Sequence, residues 1–283
     1  MSRNKPFIRK KQARQILLYA TVITMIVILC FPVYWMIVQS IGKQGVTYSN
    51  PPIFFPQSLN FQAYQNLIAS RPILNWVINS TIVVIGSTGL ALLLAIPAGY
   101  ALSRLHTRTA ESAAFFLLVT RMFPSTMLVL PLFILFGKMG MLDNHNSLMI
   151  AYSTFSIPFA VWMMKGFFDS IPIDLEEAAM VDGCNEIQAL TKIIIPLTLP
   201  GIAATTVYCT ILGWGEFLYA RTFISKDSMQ LMTVGNALLR SEYLMDWDQI
   251  LAGAVISTIP VLIVFMLLER FLVQGLTAGA VKG

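Results

Sequence analysis

Charge is scarce in this chain. Asp, Glu, Lys and Arg make up 12% of its 283 residues, against 56% hydrophobic, whereas a soluble domain carries about 25% charged residues. A water-soluble fold is thereby excluded. Histidine is rarer still: His106 and His145 stand far apart, and neither an HExxH nor a GxSxG pattern occurs. The residue sets of a zinc hydrolase or a serine nucleophile are missing. The three cysteines, Cys30, Cys184 and Cys209, have unrelated spacings and form no CxxC pair. Such a set implies neither a disulfide framework nor a zinc site, and reads as small apolar residues. No metal site is expected. A Walker A motif is also absent, because "IGKQ" and "FGKM" both fail to complete GxxxxGK followed by Ser or Thr. Any nucleotide chemistry must then reside on another chain. Ion-coupled secondary transporters usually show inverted repeats and ion sites near the midplane; no internal repeat is visible here.

What the chain has instead is long apolar runs. A span needs roughly 20 mostly apolar residues, and six stretches qualify: 16–40, 75–102, 112–136, 147–164, 201–219 and 250–268. They predict an all-α membrane protein, one bundle of six transmembrane helices over 16–268. A basic N-terminus (1–15) precedes it and a short tail (269–283) follows. The opening MSRNKPFIRKKQAR suits the basic region of a signal peptide, but the apolar run after it is too long and lacks a small-residue cleavage site. It reads as a retained first span. Lys and Arg set orientation. With the N-terminus inside, twelve of them fall in inner segments and six in outer ones, which predicts both termini in the cytoplasm. Ala91, Ala95 and Gly99 recur every four residues in span two, a stripe that lets backbones approach closely in lipid. Pro97, Pro124 and Pro131 are expected to bend spans two and three. The mixed stretch 220–249 between spans five and six reads as an interfacial, partner-facing loop.

Against this apolar background the segment DLEEAAMVDGCNEIQALTKIIIPLTLPG, from Asp174 to Gly201, is conspicuous. From Asp169 to Glu186 the chain holds six acids and no base. Asp174 is placed to cap a helix, with Glu177 three positions on completing a capping-box pattern, and carboxylates in a first turn complement the helix dipole. Asp182–Gly183 stops that helix, since glycine accepts the left-handed conformation. A second helix starts near Asn185, with Ile187, Leu190, Ile194 and Leu197 on one face, and Pro196 and Pro200 end it. The result is two short helices at nearly a right angle, lying in the predicted cytoplasmic segment 165–200. Helices resting on a membrane surface usually bear Lys and Arg; an acidic, alanine-rich face suits a basic cleft on a protein partner better.

EAAMVDGCNEIQALTKIIIP resembles the EAA loop of permease subunits of ATP-binding-cassette importers. That motif is Glu-Ala-Ala, three residues, Gly, nine residues, then Ile-x-x-Pro. Glu177, Ala178, Ala179, Asp182, Gly183, Ile193 and Pro196 occupy those places, with Cys184 for the usual alanine and Leu190 for a frequent aromatic. NWVINSTIVV, MFPSTMLVLPLFIL, IPFAVWMMKGFFDSIPIDLEEAA, GWGEFLYARTFI and the C-terminal LVQGLTAGAVKG are similar to the carbohydrate-uptake branch, the MalG-like permeases. The resemblance covers nearly the whole chain. Gly215 departs from it, where such permeases often have asparagine.

The resemblance implies the MetI-like, type I importer permease fold in a bacterial inner membrane. It implies a non-catalytic subunit with no cofactor of its own, ATP and magnesium being bound by a partner ATPase. The partners implied are a second, MalF-like permease subunit, two MalK-like ATPase subunits, an extracytoplasmic sugar-binding protein and the lipid bilayer, with no nucleic acid. The ATPase-coupling residues would be Glu177, Ala178, Ala179, Asp182, Gly183, Ile187, Leu190 and Pro196. In that set Glu177 makes a charged contact, the alanines permit close approach, Gly183 sets the turn, and Ile187 and Leu190 pack the second helix. Gly275, Leu276, Thr277, Gly279 and Gly283 in the tail would form a second contact. Intramembrane charge marks function by default, and Arg121 in span three and Glu216 in span five are such charges. Glu216 reads either as a carboxylate beside the sugar path or as a structural one satisfied by backbone, Arg121 or Arg221. Trp214 and Tyr219 read either as rings stacking on a sugar or as interfacial anchors. The identity of the sugar is not written in the chain, and an importer of the same class for another solute stays open.

Overall fold

The computed structural model describes residues 5–42, 51, 53–55, 58–105, 107–240 and 246–280. All regular structure among them is helical. They fall into two compact units, Met1–Arg71 with Leu239–Ile256, and Pro72–Leu238 with Ser257–Gly283.

In the first unit, α1 (Lys5–Ser40) is a single long helix, and its apolar side chains from Ile16 to Leu29 are exposed. Its end is tied down: Gln39 donates to Ile53 O at 3.1 Å, and the Ser40 and Tyr64 hydroxyls share a 2.7 Å bond. Tyr64 belongs to α2 (Gln62–Ser70).

The second unit is built around α3 (Ile73–Arg104) and α6 (His145–Asp169), the most extensively packed helix pair. The small-residue stripe explains why. Ala91 and Ala95 are fully buried, and a Cβ added at Gly99 would sit 2.8 Å from Met164 Cβ and 2.9 Å from Lys165 N. The two backbones touch there, as the four-residue spacing predicts. Pro97 and Pro158 lie inside these helices without ending them.

Span three does not run unbroken from 112 to 136. It consists of α4 (Arg108–Thr120) and α5 (Ser125–Lys138), bent by 92°. The physical reason is local to Pro124: it offers no N–H, and its ring pushes Phe123 out of the helical region. Pro131 sits inside α5, which continues through it.

α7 (Asp174–Val181) and α8 (Glu186–Ala189) follow α6, then a π turn (Leu190–Ile194) and α9 (Ile195–Leu197). Pro196 does not end this second helix as expected. The π turn just before it shifts the hydrogen-bond register, Ile195 N–H bonding to Leu190 O. The chain breaks instead at Thr198, whose hydroxyl bonds back to Ile194 O and Ile195 O. It bends 72° into α10 (Leu199–Gly215), with Pro200 in the first turn, a position that needs no amide donor.

α11 (Leu218–Phe223) and α12 (Met232–Leu238) come next. Part of the expected interfacial loop packs into the core, while Ser225 to Ser228 stay exposed. Leu231, Met232 and Val234 are buried, and Gly235 lies so close under the Trp76 ring that a Cβ would be 2.1 Å from its Cε3. The last helix, α13 (Trp247–Ala280), continues well past the predicted span end at 268. Among the described residues four helices are long and apolar enough to cross a membrane, and up to six spans result if each of the two bent pairs counts as one.

Candidate functional site

Two places collect the residues singled out above: the knob of α7 to α9, and a cavity at the break in span three. The knob forms by a different start than expected. Asp174 is the first residue of α7 rather than its cap; Ile173 precedes it and supplies no side-chain cap, while its carbonyl accepts from Glu176 and Glu177. The capping box exists one helix later, where Asn185 and Gln188 exchange bonds of 2.9 and 3.0 Å. Gly183 does set the turn. Its φ is +90°, and Cys184 N–H reaches back to Ala179 O at 3.0 Å, the six-to-one bond of a Schellman ending.

The exposed surface of the knob combines acid and oil. Asp174, Glu177, Ala178, Asp182, Gly183 and Pro196 are exposed, together with Val181 and Ile187, which is 73% exposed. Ile187 therefore does not pack the second helix. Ile194 and Ala189 are buried in that role, with Leu190 and Ile193 half-buried beside them. A three-and-four-residue apolar pattern marks a face but not what covers it. Ala179 is buried against the unit while its neighbour Ala178 faces out.

One residue escaped the sequence reading. Glu176, not Glu177, is turned inward and is only 4% exposed. Its Oε2 accepts from Tyr100 OH at 2.8 Å, and its Oε1 from Arg104 Nε at 2.7 Å. Adjacent helical residues point about 100° apart, so only one glutamate of the doublet faces out. Arg104 at the end of an apolar span was the available signal that a buried acid would be needed.

The cavity, about 320 Å³, is lined by Arg121 and Glu216 with Ser125, Thr154, Phe155 and Pro158 among its other walls. Arg121 stands at the α4 end of the break. Its Nη1 donates to Phe155 O at 3.0 Å, its Nη2 bonds to Tyr208 OH, and the guanidinium lies 4.9 Å from the Phe159 ring centroid. Glu216 follows α10, and its Oε1 accepts from the first two amides of α11, Leu218 N–H at 2.8 Å and Tyr219 N–H at 3.1 Å. Arg121 and Glu216 form no ion pair with each other, unlike Arg104 with Glu176 and Lys165 with Asp169.

Trp214 and Tyr219 do not line this cavity. Trp214 donates its indole N–H to Ser257 O at 3.0 Å. Tyr219 is buried among Tyr152, Phe155 and Phe223, and its hydroxyl donates to Ser125 O at 2.7 Å. Tyr219 is a core residue, closed to any ligand ring. Of the tail residues, Gly275, Leu276, Thr277 and Gly279 fall within α13, while Gly283 lies outside the described residues. No group of three or more His, Cys, Asp or Glu side chains converges among the described residues.

Residues 87–278, a stretch that contains both the knob and the cavity, match the model of the binding-protein-dependent transport system inner membrane components. The chain belongs to this family. This permease is 34% identical to the inner membrane ABC transporter permease protein YcjP of Escherichia coli, over 97% of its own length and 99% of that protein's. It is 33% identical, with the same coverage, to the trehalose/maltose transport system permease protein MalG of Thermococcus litoralis. It is 32% identical to the sulfoquinovosyl glycerol transport system permease protein SmoH of Agrobacterium fabrum, over 89% of each chain. The permease also shares its fold with a chain of a bacterial ABC transporter involved in alginate import. That match has a TM-score of 0.73 at 24% identity, covering 93% of this chain and 97% of the other. The bent spans and the protruding helix pair thus belong to the importer permease fold of an inner-membrane protein.

Proposed function

We propose that this permease is one half of the translocation path of an ATP-driven, binding-protein-dependent carbohydrate importer, working by alternating access. Its partners are a second, MalF-like permease subunit, two MalK-like ATPase subunits and an extracytoplasmic sugar-binding protein. The chain performs no covalent chemistry itself; ATP and magnesium are handled by the ATPase. The knob, and both termini, face the cytoplasm. Relatives named for trehalose, maltose and sulfoquinovosyl glycerol support a carbohydrate as cargo.

The observation that carries this reading is the outer face of the knob. Glu177, Asp182, Val181 and Ile187 are exposed together on a short helical elbow whose turn is made at Gly183. Exposed apolar side chains rimmed by acids suit a basic, partly apolar cleft on a protein. Glu177 makes the charge-assisted contact, Ala178 and Gly183 allow close approach, and Ile187 enters the cleft. The tail from Gly275 to Gly283 supplies a second contact. ATP binding closes the ATPase pair and moves the knobs; the coupling exists because the contact differs between the two states. Within the membrane, Arg121 and Glu216 present hydrogen-bond donors and an acceptor to sugar hydroxyls passing the cavity.

Glu177→Lys tests the reading. In vesicles containing the assembled transporter, the substitution leaves insertion unchanged but abolishes stimulation of ATP hydrolysis by the loaded binding protein. Stimulation at the wild-type level would refute the role of this face.

A further inference from the structure

The knob is joined covalently to α6 through residues 170–173 and to α10 through Thr198, but not to α3. The link to α3 is a buried polar cluster. Tyr100 and Arg104, one helical turn apart at the end of α3, both reach Glu176 in the first turn of α7. Both carboxylate oxygens are occupied, Oε1 also by Arg104 Nη2 at 2.5 Å. The same guanidinium donates from Nη1 to Phe168 O at 3.1 Å and from Nη2 to Ile171 O at 3.4 Å. One arginine therefore joins the end of α3, the end of α6 and the start of α7. Tyr100 also packs edge-on to Phe168, ring centroids 5.6 Å apart. A cavity of about 440 Å³ borders Arg104, so the cluster is not surrounded by packing on every side.

We propose that Glu176, Arg104 and Tyr100 form a strut that delivers the motion of the knob to span two, making Glu176 a positioning residue for coupling. Its neighbour Glu177 meets the ATPase; Glu176 transmits what Glu177 receives. This rests on the coupling reading above. The chemistry favours a transmitting role over simple stabilisation. A buried ion pair contributes little net stability compared with apolar side chains of the same volume, because both charges lose their water. It does fix direction: two guanidinium nitrogens grip Oε1 while Tyr100 holds Oε2, so the carboxylate is fixed at both oxygens, which an apolar contact does not do. Span two then carries that orientation along its length, since it lies against α6 from the Gly99 contact onward.

The test uses the full transporter with its binding protein in vesicles, reading sugar accumulated per ATP hydrolysed. Glu176→Gln leaves the Glu177 face intact. It is expected to preserve co-purification of the ATPase while lowering sugar per ATP by about tenfold, within the range of coupling changes produced by residues away from either site. Arg104→Lys, which keeps the charge but loses the fork, gives the same direction of change. The reciprocal exchange, Arg104→Glu with Glu176→Arg, recovers part of the loss. Tyr100→Phe removes one hydrogen bond at constant shape and gives a smaller loss; it decides the matter if the charge variants fail to assemble. An unchanged ratio in Glu176→Gln, or in Tyr100→Phe in that event, overturns the strut. A fall in total uptake that only follows the amount of assembled complex overturns it too, because that is a structural role. Failure of the coupling reading itself looks different: Glu177→Lys would then leave stimulated hydrolysis unchanged.

Discussion

Substitution at Gly183 separates backbone strain from steric contact. Its φ of +90° lies in the region that L side chains rarely adopt, yet a Cβ built there meets nothing within 4 Å. The cost of a side chain is therefore conformational and independent of its length. Alanine and leucine should each destabilise the turn by about 1–2 kcal/mol, the penalty for a left-handed L residue, and asparagine by less. Valine should cost more than either, because branching at Cβ makes positive φ a true outlier. An energy of 1–2 kcal/mol reduces the population of the bent knob by roughly 5- to 30-fold against competing conformations. Hydrogen exchange over 174–189 in the detergent-solubilised permease reads this directly, since the Schellman amides of Gly183 and Cys184 lose protection as the turn opens. Gly235, by contrast, faces the Trp76 ring at 2.1 Å from a built Cβ, so there the penalty must grow with side-chain size. If alanine at 183 were neutral, or leucine opened the turn much more than alanine, the conformational account would be wrong. With the ATPase bound, any extra loss for leucine over alanine measures how closely the partner approaches the turn.

Two further outcomes follow from the geometry. Glu216→Gln retains an oxygen acceptor for the Leu218 and Tyr219 amides, so assembly should be unchanged, while replacing a charged acceptor in the cavity raises the KM for uptake about fivefold; unaltered kinetics would remove Glu216 from the path. Asp143 accepts the Ser225 N–H at 2.6 Å and the Lys226 N–H at 3.0 Å, and these amides hold its carboxyl below the usual carboxylate range. A depressed native pKa contributes stability in full above the ordinary aspartate value and loses it as pH falls through the native one. Asp143→Asn tolerates the same backbone (φ +55°), so it should melt earlier than the parent near pH 7. The gap should close in acid below the carboxylate range; a gap constant with pH would contradict the assignment.

Features that depend on neighbours along the chain are legible from residue order alone. The number of apolar runs follows from composition, because a span must satisfy its backbone internally and surround it with apolar side chains. The stop at Gly183 and the start at Asn185 follow from dihedral preference and side-chain bonding over three or four residues. The close contact at Gly99 follows from a stripe of small side chains. Each of these is short-ranged, and each is legible without a partner.

Which side of each helix faces what is settled by packing. In a membrane protein the lipid-facing and core-facing positions are both apolar, so hydropathy carries little information about orientation. Tyr219 could thus be read as an anchor or a ligand ring, when packing makes it core. Ile187 has the spacing of a core residue and is exposed, because a docking face and a buried face share one pattern. The Glu176–Glu177 doublet is symmetric as sequence; only the arrival of Arg104, 72 positions away along the chain, sends one carboxylate inward and leaves the other for a partner. Arg121 and Glu216 meet at one cavity because span three breaks by 92°. Pro124 makes that break possible, but the same proline type at 131 and 97 leaves its helix intact. Whether a proline bends or breaks a helix depends on what surrounding helices offer the freed backbone groups, and that is settled only when they pack.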